Sequence, residues 1–190
     1  MSVSLQPVSS PTESLILVDD EDREIGIRPK LECHIGQGLL HRAFSVFLFN
    51  ANGELLLQKR SAQKPLWPLY WSNSCCSHPR ESETVEEAGR RRIHEDLNIQ
   101  SELRFLYKFK YQASFRDLGS EHELCHVFAG FTADEVIAHP NEIDEWRYIT
   151  PNDLTREIAA DGDRFTPWLK MEWQRIRKDF LGEILAGISG

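Results

Sequence analysis

NSCCSHPRESETVEEAGRRRIHEDLNI, residues 73–99, is the stretch from which the rest of the chain is read. Thr84 followed three residues later by Glu87 forms a capping box. Val85, Ala88, Ile93 and Leu97 then recur at helical spacing, so residues 84–97 are expected to form a helix with a narrow apolar stripe. Asn98 stands where a helix ends in a left-handed residue, a conformation its short amide tolerates. Glu83, Glu87, Arg91 and Glu95 occupy the opposite face, with Arg92 and Asp96 one position round. A solvated helix face has the same pattern. The approach to the helix is less ordinary: Cys75, Cys76 and His78 precede Pro79 in a segment too apolar for a surface loop and too reactive for core.

The remainder of the chain sets limits on this stretch. With 190 residues it has room for one domain and a core that needs no disulfide staples. A net charge of −8 argues against a nucleic-acid surface, although a local cluster of Lys and Arg can still hold a small anion. Cys33, Cys75, Cys76 and Cys125 include a vicinal pair and follow no secretory leader, so free thiols in a reducing cytoplasm are expected. The early apolar run, residues 15–18, is far shorter than the ~20 residues of a membrane span. Residues 1–14 are rich in Ser and Pro and are expected to be a disordered arm ahead of a single domain over residues 15–190.

In chain order, residues 15–18 form a short strand that ends at the acidic run 19–22. His34 and His41 follow, seven residues apart, a separation that suits two helical turns or a loop and a strand. Residues 43–49 and 54–59 flank Asn52 and Gly53 and are expected to pair as a hairpin, which delivers Arg60 and Lys64 into the stiff aromatic loop PLWPLYW. Beyond the central helix, residues 103–115 alternate Phe105, Tyr107, Phe109 and Tyr111 on one side of a half-buried strand. The next strand, EHELCHVFAGF, puts Glu121, Glu123 and Cys125 on one face and His122, Leu124 and His126 on the other. Two carboxylates two residues apart on one face repel unless a cation or a shared proton lies between them, which makes Glu121 and Glu123 metal-ligand candidates. Residues 145–149 form another strand, Thr150 with Pro151 and Asp153 opens a helix, and residues 167–185 form a last helix with a broad apolar face.

Taken together, His34 and His41, the W-x-N-S-x-C-x-H-P run at 71–79, Tyr111 ten residues before Glu121-x-Glu123, and Thr166-Pro167-Trp168 resemble the type I isopentenyl-diphosphate isomerases. The resemblance covers residues 30–173. It implies a Nudix-type α/β/α sandwich with a mixed sheet, and the central helix is similar to a worn Nudix box, with Glu83, Arg91, Glu95, Asp96 and Ile99 at box positions. Ser77 and Asn98 stand where the box has glycines, which argues against pyrophosphate hydrolysis.

The resemblance further implies a double-bond shift from isopentenyl to dimethylallyl diphosphate, with Cys76 and Glu123 as the two proton carriers. Tyr111 would bond near the carboxylate and Trp168 would face the carbocation, a contact worth ~2 kcal/mol when desolvated. His34, His41, His78, Glu121 and Glu123 would hold one divalent metal, zinc, manganese or magnesium. Lys30, Arg60, Lys64 and Arg92 would hold the diphosphate, with a magnesium ion bridging it to Asp96. Asp96 is shorter than the glutamate expected there, so adjacent Glu95 competes for that role. The partner is then a small molecule, and the protein a monomer or weak homodimer. A Nudix hydrolase acting on a nucleoside diphosphate derivative is the alternative within the same fold; a structural zinc protein and a redox-sensing thiol protein are the others, and each leaves part of the constellation unexplained.

Overall fold

The computed structural model describes residues 8–10 and 12–188. Most of the expected arm, residues 1–7 and 11, lies outside them, as do residues 189–190. The sheet is organised on β3 (His41–Phe49), an almost continuous apolar run buried on both faces, the pattern of a central strand covered on both sides. β8 (Gly119–Phe131) runs parallel along one edge, matching His41 with Glu123 through to Phe49 with Phe131. The other edge is shared. β1 (Ser14–Val18) meets it at His41, β6 (Cys75–Ser77) pairs with Phe44, Ser45 and Val46, and β4 (Leu55–Arg60) joins at Phe49. β2 (Glu24–Pro29) pairs with β1, β5 (Trp71–Ser72) and β9 (Ile143–Ile149) with β4, and β7 (Leu103–Phe115) with β8.

Helices cover both faces of this mixed sheet, giving the expected α/β/α sandwich. On one side α2 (Val85–Leu97) buries Ala88, Ile93 and Leu97 against Phe44, Val46 and Leu48. On the other, α3 (Pro151–Ala160), α4 (Pro167–Asp179) and α5 (Leu181–Ile188) enclose Phe47, Phe49 and the aromatic loop. The capping box of α2 is complete, and Asn98 closes it at φ +58°. Thr150 caps α3, accepting from the Asp153 amide, with Pro151 in the first turn.

Several sequence expectations shift for physical reasons. Asn52-Gly53 does close a hairpin, but through a longer loop: the Asn50 side chain accepts from the amides of Asn52 and Glu54, and only Gly53 is left-handed. A bulge between Phe105 and Tyr107 in β7 turns Phe105 to the opposite face, where it meets His126 and Phe128. The final helix breaks at Phe180 into α4 and α5. The edge strand β2 and the short helix α1 (Lys30–His34) had no sequence signal strong enough to be expected.

Candidate active site

His34 ends α1 and His41 begins β3, so the loop between them must fold back tightly. Gly38 makes this possible at φ +74°, because a Cβ there would come within 3.1 Å of His122 Cβ and of the Ser120 carbonyl on β8. Gly119, at φ +155°, lets the end of α1 approach: a Cβ would lie 2.5 Å from the His34 carbonyl. The result brings His34, His41, His78 and Glu121 together, with one ligand-type atom from each within 4.8 Å of the others. Glu123 joins them, its Oε1 3.3 Å from His78 Nε2 and 3.8 Å from His41 Nε2.

Hydrogen bonding decides which atoms face inward. His34 Nδ1 lies 2.6 Å from the Lys30 carbonyl and His41 Nδ1 2.7 Å from the Leu39 carbonyl. A carbonyl only accepts, so in the neutral rings Nδ1 carries the proton and Nε2 offers its lone pair to the cluster, the orientation metal-binding histidines take. His41 Nε2 and His78 Nε2 stand 3.2 Å apart. Glu121 Oε2, 2.8 Å from His34 Nε2, is buried without a hydrogen bond. Tyr111 donates to Glu123 Oε2 at 2.7 Å, leaving Oε1 for the histidines. Lone pairs converging on one buried point, with an orphaned carboxylate oxygen among them, fit a divalent cation.

The shifts of Glu121, Glu123 and His78 agree with a ligand set, whereas that of His34 favours the protonated ring, whose proton a bound cation would displace. Burial pushes Glu121 up, but His34 outweighs it and holds the carboxyl below the usual range. Glu123 is likewise held low, with His41 and Tyr111 overcoming burial. Burial, with Lys30 and the other two histidines adding to it, drives His78 well below the ordinary histidine value, so its imidazole is neutral. His34 is raised, since Glu121 overrides the opposing effect of burial.

His34, His78, Glu121 and Glu123 line one end of a cavity of about 430 Å³, with His41 buried behind them. The alternation of β6 separates the vicinal cysteines. Cys76 faces the cavity, whereas Cys75 is fully buried under α2 with its thiol 3.6 Å from Asp96 Oδ2. Burial raises the Cys76 thiol to about 11 against the pull of Arg60, whose Nη1 lies 3.9 Å from the sulfur. Trp168 closes the apolar end, anchored by Nε1 donating to Ser72 Oγ at 3.0 Å and packed edge-on against Trp67. Arg60 sits over the Trp168 ring at 5.3 Å and donates to the Leu66 and Trp67 carbonyls, so much of its capacity goes to pinning the aromatic loop.

Lys30, Lys64 and Arg92 line the cavity as expected, but the charges behind them differ from the sequence reading. Arg92 and Asp96 do not flank a solvated face: each is only 2% exposed, because the 139–143 segment covers this end of α2, His139 donating its amide to the Asp96 carbonyl. Arg92 Nη2 donates to Asp96 Oδ2 at 2.8 Å and lies 3.4 Å from Glu142 Oε2. Asp96 is thus not among the cavity-lining side chains, in contrast to its expected reach toward a diphosphate-bound magnesium. Glu95 is held by Arg91 at 2.9 Å, and Glu83 by the same guanidinium at 2.7 Å. Glu142, unexpected from sequence, accepts from Lys64 and from the Ser9 amide, and Lys30 donates to Ser9 Oγ at 2.5 Å. Nothing in the sequence around Glu142 marks it as buried.

A single layered domain with this helix beside its central strand has the architecture of the Nudix class, and residues 39–169 match the NUDIX domain model. A solved Deinococcus radiodurans protein, DR0079, is similar in fold with a TM-score of 0.71 at 27% identity, over 86% of this chain and 98% of that one. A Methanosarcina mazei MutT protein shares the fold at 15% identity and TM-score 0.61, over 74% of this chain and 94% of its own. The isopentenyl-diphosphate Delta-isomerase 1 of Photorhabdus laumondii is 41% identical over 90% of this chain and 99% of its own length. The isopentenyl-diphosphate Delta-isomerase of Burkholderia multivorans is 42% identical over 82% of this chain and 88% of its own. The chain belongs to the isopentenyl-diphosphate Delta-isomerase family of enzymes. Among the described residues no helix is long and apolar enough to cross a membrane.

Proposed function

We propose that the chain converts isopentenyl diphosphate to dimethylallyl diphosphate, with Cys76 and Glu123 as the proton carriers. The observation that carries this reading is a single cavity lined by the Cys76 thiol, the Tyr111-held Glu123 carboxylate and the cations Lys30, Lys64 and Arg92. Cys76 and Glu123 reach it from β6 and β8, the strands on either side of β3.

One carrier delivers a proton to the terminal methylene carbon, the double bond's electrons form the new C–H bond, and positive charge develops on the tertiary carbon. The other carrier takes a proton from the neighbouring methylene, whose C–H electrons become the new double bond. The indole of Trp168 faces that charge. Tyr111 fixes the Glu123 carboxylate through Oε2 and so aims Oε1. Lys30, Lys64 and Arg92 bind the diphosphate, and Arg60 joins them while ordering the loop around the hydrocarbon.

His34, His41, His78, Glu121 and Glu123 would hold one divalent ion, and an imidazole-rich, carboxylate-containing set suits zinc or manganese before magnesium. Such an ion, when bound, fixes Glu123 and tunes its proton affinity. Asp96 acts through Arg92, and a magnesium ion travelling with the diphosphate would reach Asp96 only by displacing that guanidinium. The medium of action is the cytoplasm, in keeping with four free thiols.

Cys76→Ala is expected to lose roughly a hundredfold to ten-thousandfold in kcat, whereas Cys75→Ala stays near wild type. The assay follows the acid-labile allylic product from isopentenyl diphosphate. Retained turnover in Cys76→Ala would sink the assignment.

A further inference from the structure

The core behind the cavity holds an acid that the reaction scheme leaves unused. Glu172 stands on α4 four residues after Trp168 and is fully buried. Its Oε1 lies 3.6 Å from Cys125 Sγ, and its Oε2 is buried with no hydrogen-bond partner. Cys125 Sγ is also 3.5 Å from Ser45 Oγ, and Ser45 is the cross-strand partner of Cys76. Glu172, Cys125, Ser45 and Cys76 therefore form a polar string along one face of the sheet, within the aromatic core of Phe47, Phe49 and Tyr107.

We propose that Glu172 is a positioning residue for the Cys76 thiol, a carboxylic acid kept neutral in the core so that no second buried anion opposes charge on that sulfur. This inference rests on Cys76 being a proton carrier. The groups that face Glu172 are Ser45 from β3, Cys125 and Glu123 from β8, Cys76 from β6 and Tyr107 from β7, whose hydroxyl donates to the Glu172 carbonyl. None is a cation, and a carboxylate buried without one is costly. Glu123 and Glu172 share this interior. Tyr111 supplies a hydrogen-bond donor to Glu123, whereas Glu172 Oε2 has none, so of the two acids Glu172 is the one whose charge would be left uncompensated. Burial, with Glu123 adding to it, raises Glu172 to about 8.

The functional consequence follows from Coulomb's law. Whether Cys76 gives up its proton or starts without one, a thiolate exists at some point of each turnover. A carboxylate at Glu172 would oppose that thiolate in either direction of the reaction. Neutral Glu172 leaves the sulfur free to change charge.

The test compares the pH dependence of kcat in wild type and Glu172→Gln, which keeps the shape of the side chain but cannot ionise. The glutamine variant is expected to stay within about threefold of wild type near pH 7. Above about pH 8, wild-type kcat should fall roughly tenfold per unit, a limb that the variant lacks. Coincident limbs in the two proteins overturn the proposal. Independently of turnover, infrared absorption of the wild type at neutral pH should show a protonated-carboxyl C=O band that fades as pH passes 8 and is missing from Glu172→Gln; a wild type without the band overturns it as well, even if the variant does not fold. Cys76→Ala run alongside separates the two readings. If it remains active, the carrier assignment fails and this inference with it; if it is inactive while the limbs coincide, only the role of Glu172 fails.

Discussion

The exposed face of α2 and the inner face of β8 carry the same kinds of charge to opposite ends. On α2, Arg91 stands between Glu83 and Glu95 with guanidinium contacts of 2.7 and 2.9 Å, and Arg90 pairs with Glu86 and Glu102. Every one of those acids has its cation within the chain. On β8, Glu121 and Glu123 are buried on one face, and among the described residues their side chains are paired with three imidazoles and a phenol and with no Lys or Arg. The first arrangement is electrostatically closed and stabilises a helix; the second is open and calls for a cation from outside. Residue type alone does not separate a scaffold from a site, whereas the balance of partners does.

The strongest way to break this comparison lies in the open cluster. Glu123→Gln should lose turnover by about a hundredfold or more, because a proton carrier is gone, while metal content persists on the remaining ligands. Glu121→Gln should chiefly weaken metal affinity, and activity should return at raised metal concentration. Metal analysis beside kinetics measures both, and equal metal loss with equal recovery in the two variants would erase the distinction drawn between them.

A smaller effect sharpens the boundary between the two regions, where Asp96 lies. Asp96→Asn removes the counter-charge that holds Arg92 in place, so the Michaelis constant should rise with its magnesium dependence unchanged, whereas Glu95→Gln should leave both nearly unchanged. If only Glu95→Gln raises the magnesium requirement, the carboxylate role moves to the exposed ladder.

Glu172 offers a third region, closed by a proton rather than a cation. Its ordinary value of 4.5 rises to about 8 on folding, so the folded state keeps a proton that the unfolded chain releases. Stability from this group is complete below pH 4.5 and declines by up to about 1.4 kcal/mol per unit until pH 8. Glu172→Gln should therefore gain in Tm relative to wild type as pH goes from 5 to 8, and a constant difference would contradict a neutral Glu172. The smallest effect belongs to the closed helix: Thr84→Ala should cost about 1 kcal/mol in denaturant unfolding with unchanged kcat, since it removes only a cap.

Much of this protein is determined by short-range rules that the sequence displays directly. The capping box at Thr84 and Glu87, the left-handed Asn98, the first-turn Pro151 and the period-two pattern that sets Glu121 and Glu123 on one face all depend on residues within four positions of each other. The resemblance likewise implied the five metal-ligand candidates and, through the register of its C-x-H-P motif, Cys76 in place of Cys75, while the alternation of β6 that sends the two thiols to opposite sides came from the structure. Tertiary structure decided the rest. Arg92 and Asp96 are buried because a segment more than forty residues away covers them, and Phe105 changes face because a bulge slips the register. Glu142 and Glu172 place their carboxyl groups in the interior for reasons held by distant partners. Glu172 draws no attention in the sequence, and only the packed core of Cys125, Ser45 and the surrounding aromatics determines that it keeps its proton. Burial and charge balance are sums over neighbours that the fold assembles, and no local pattern contains them.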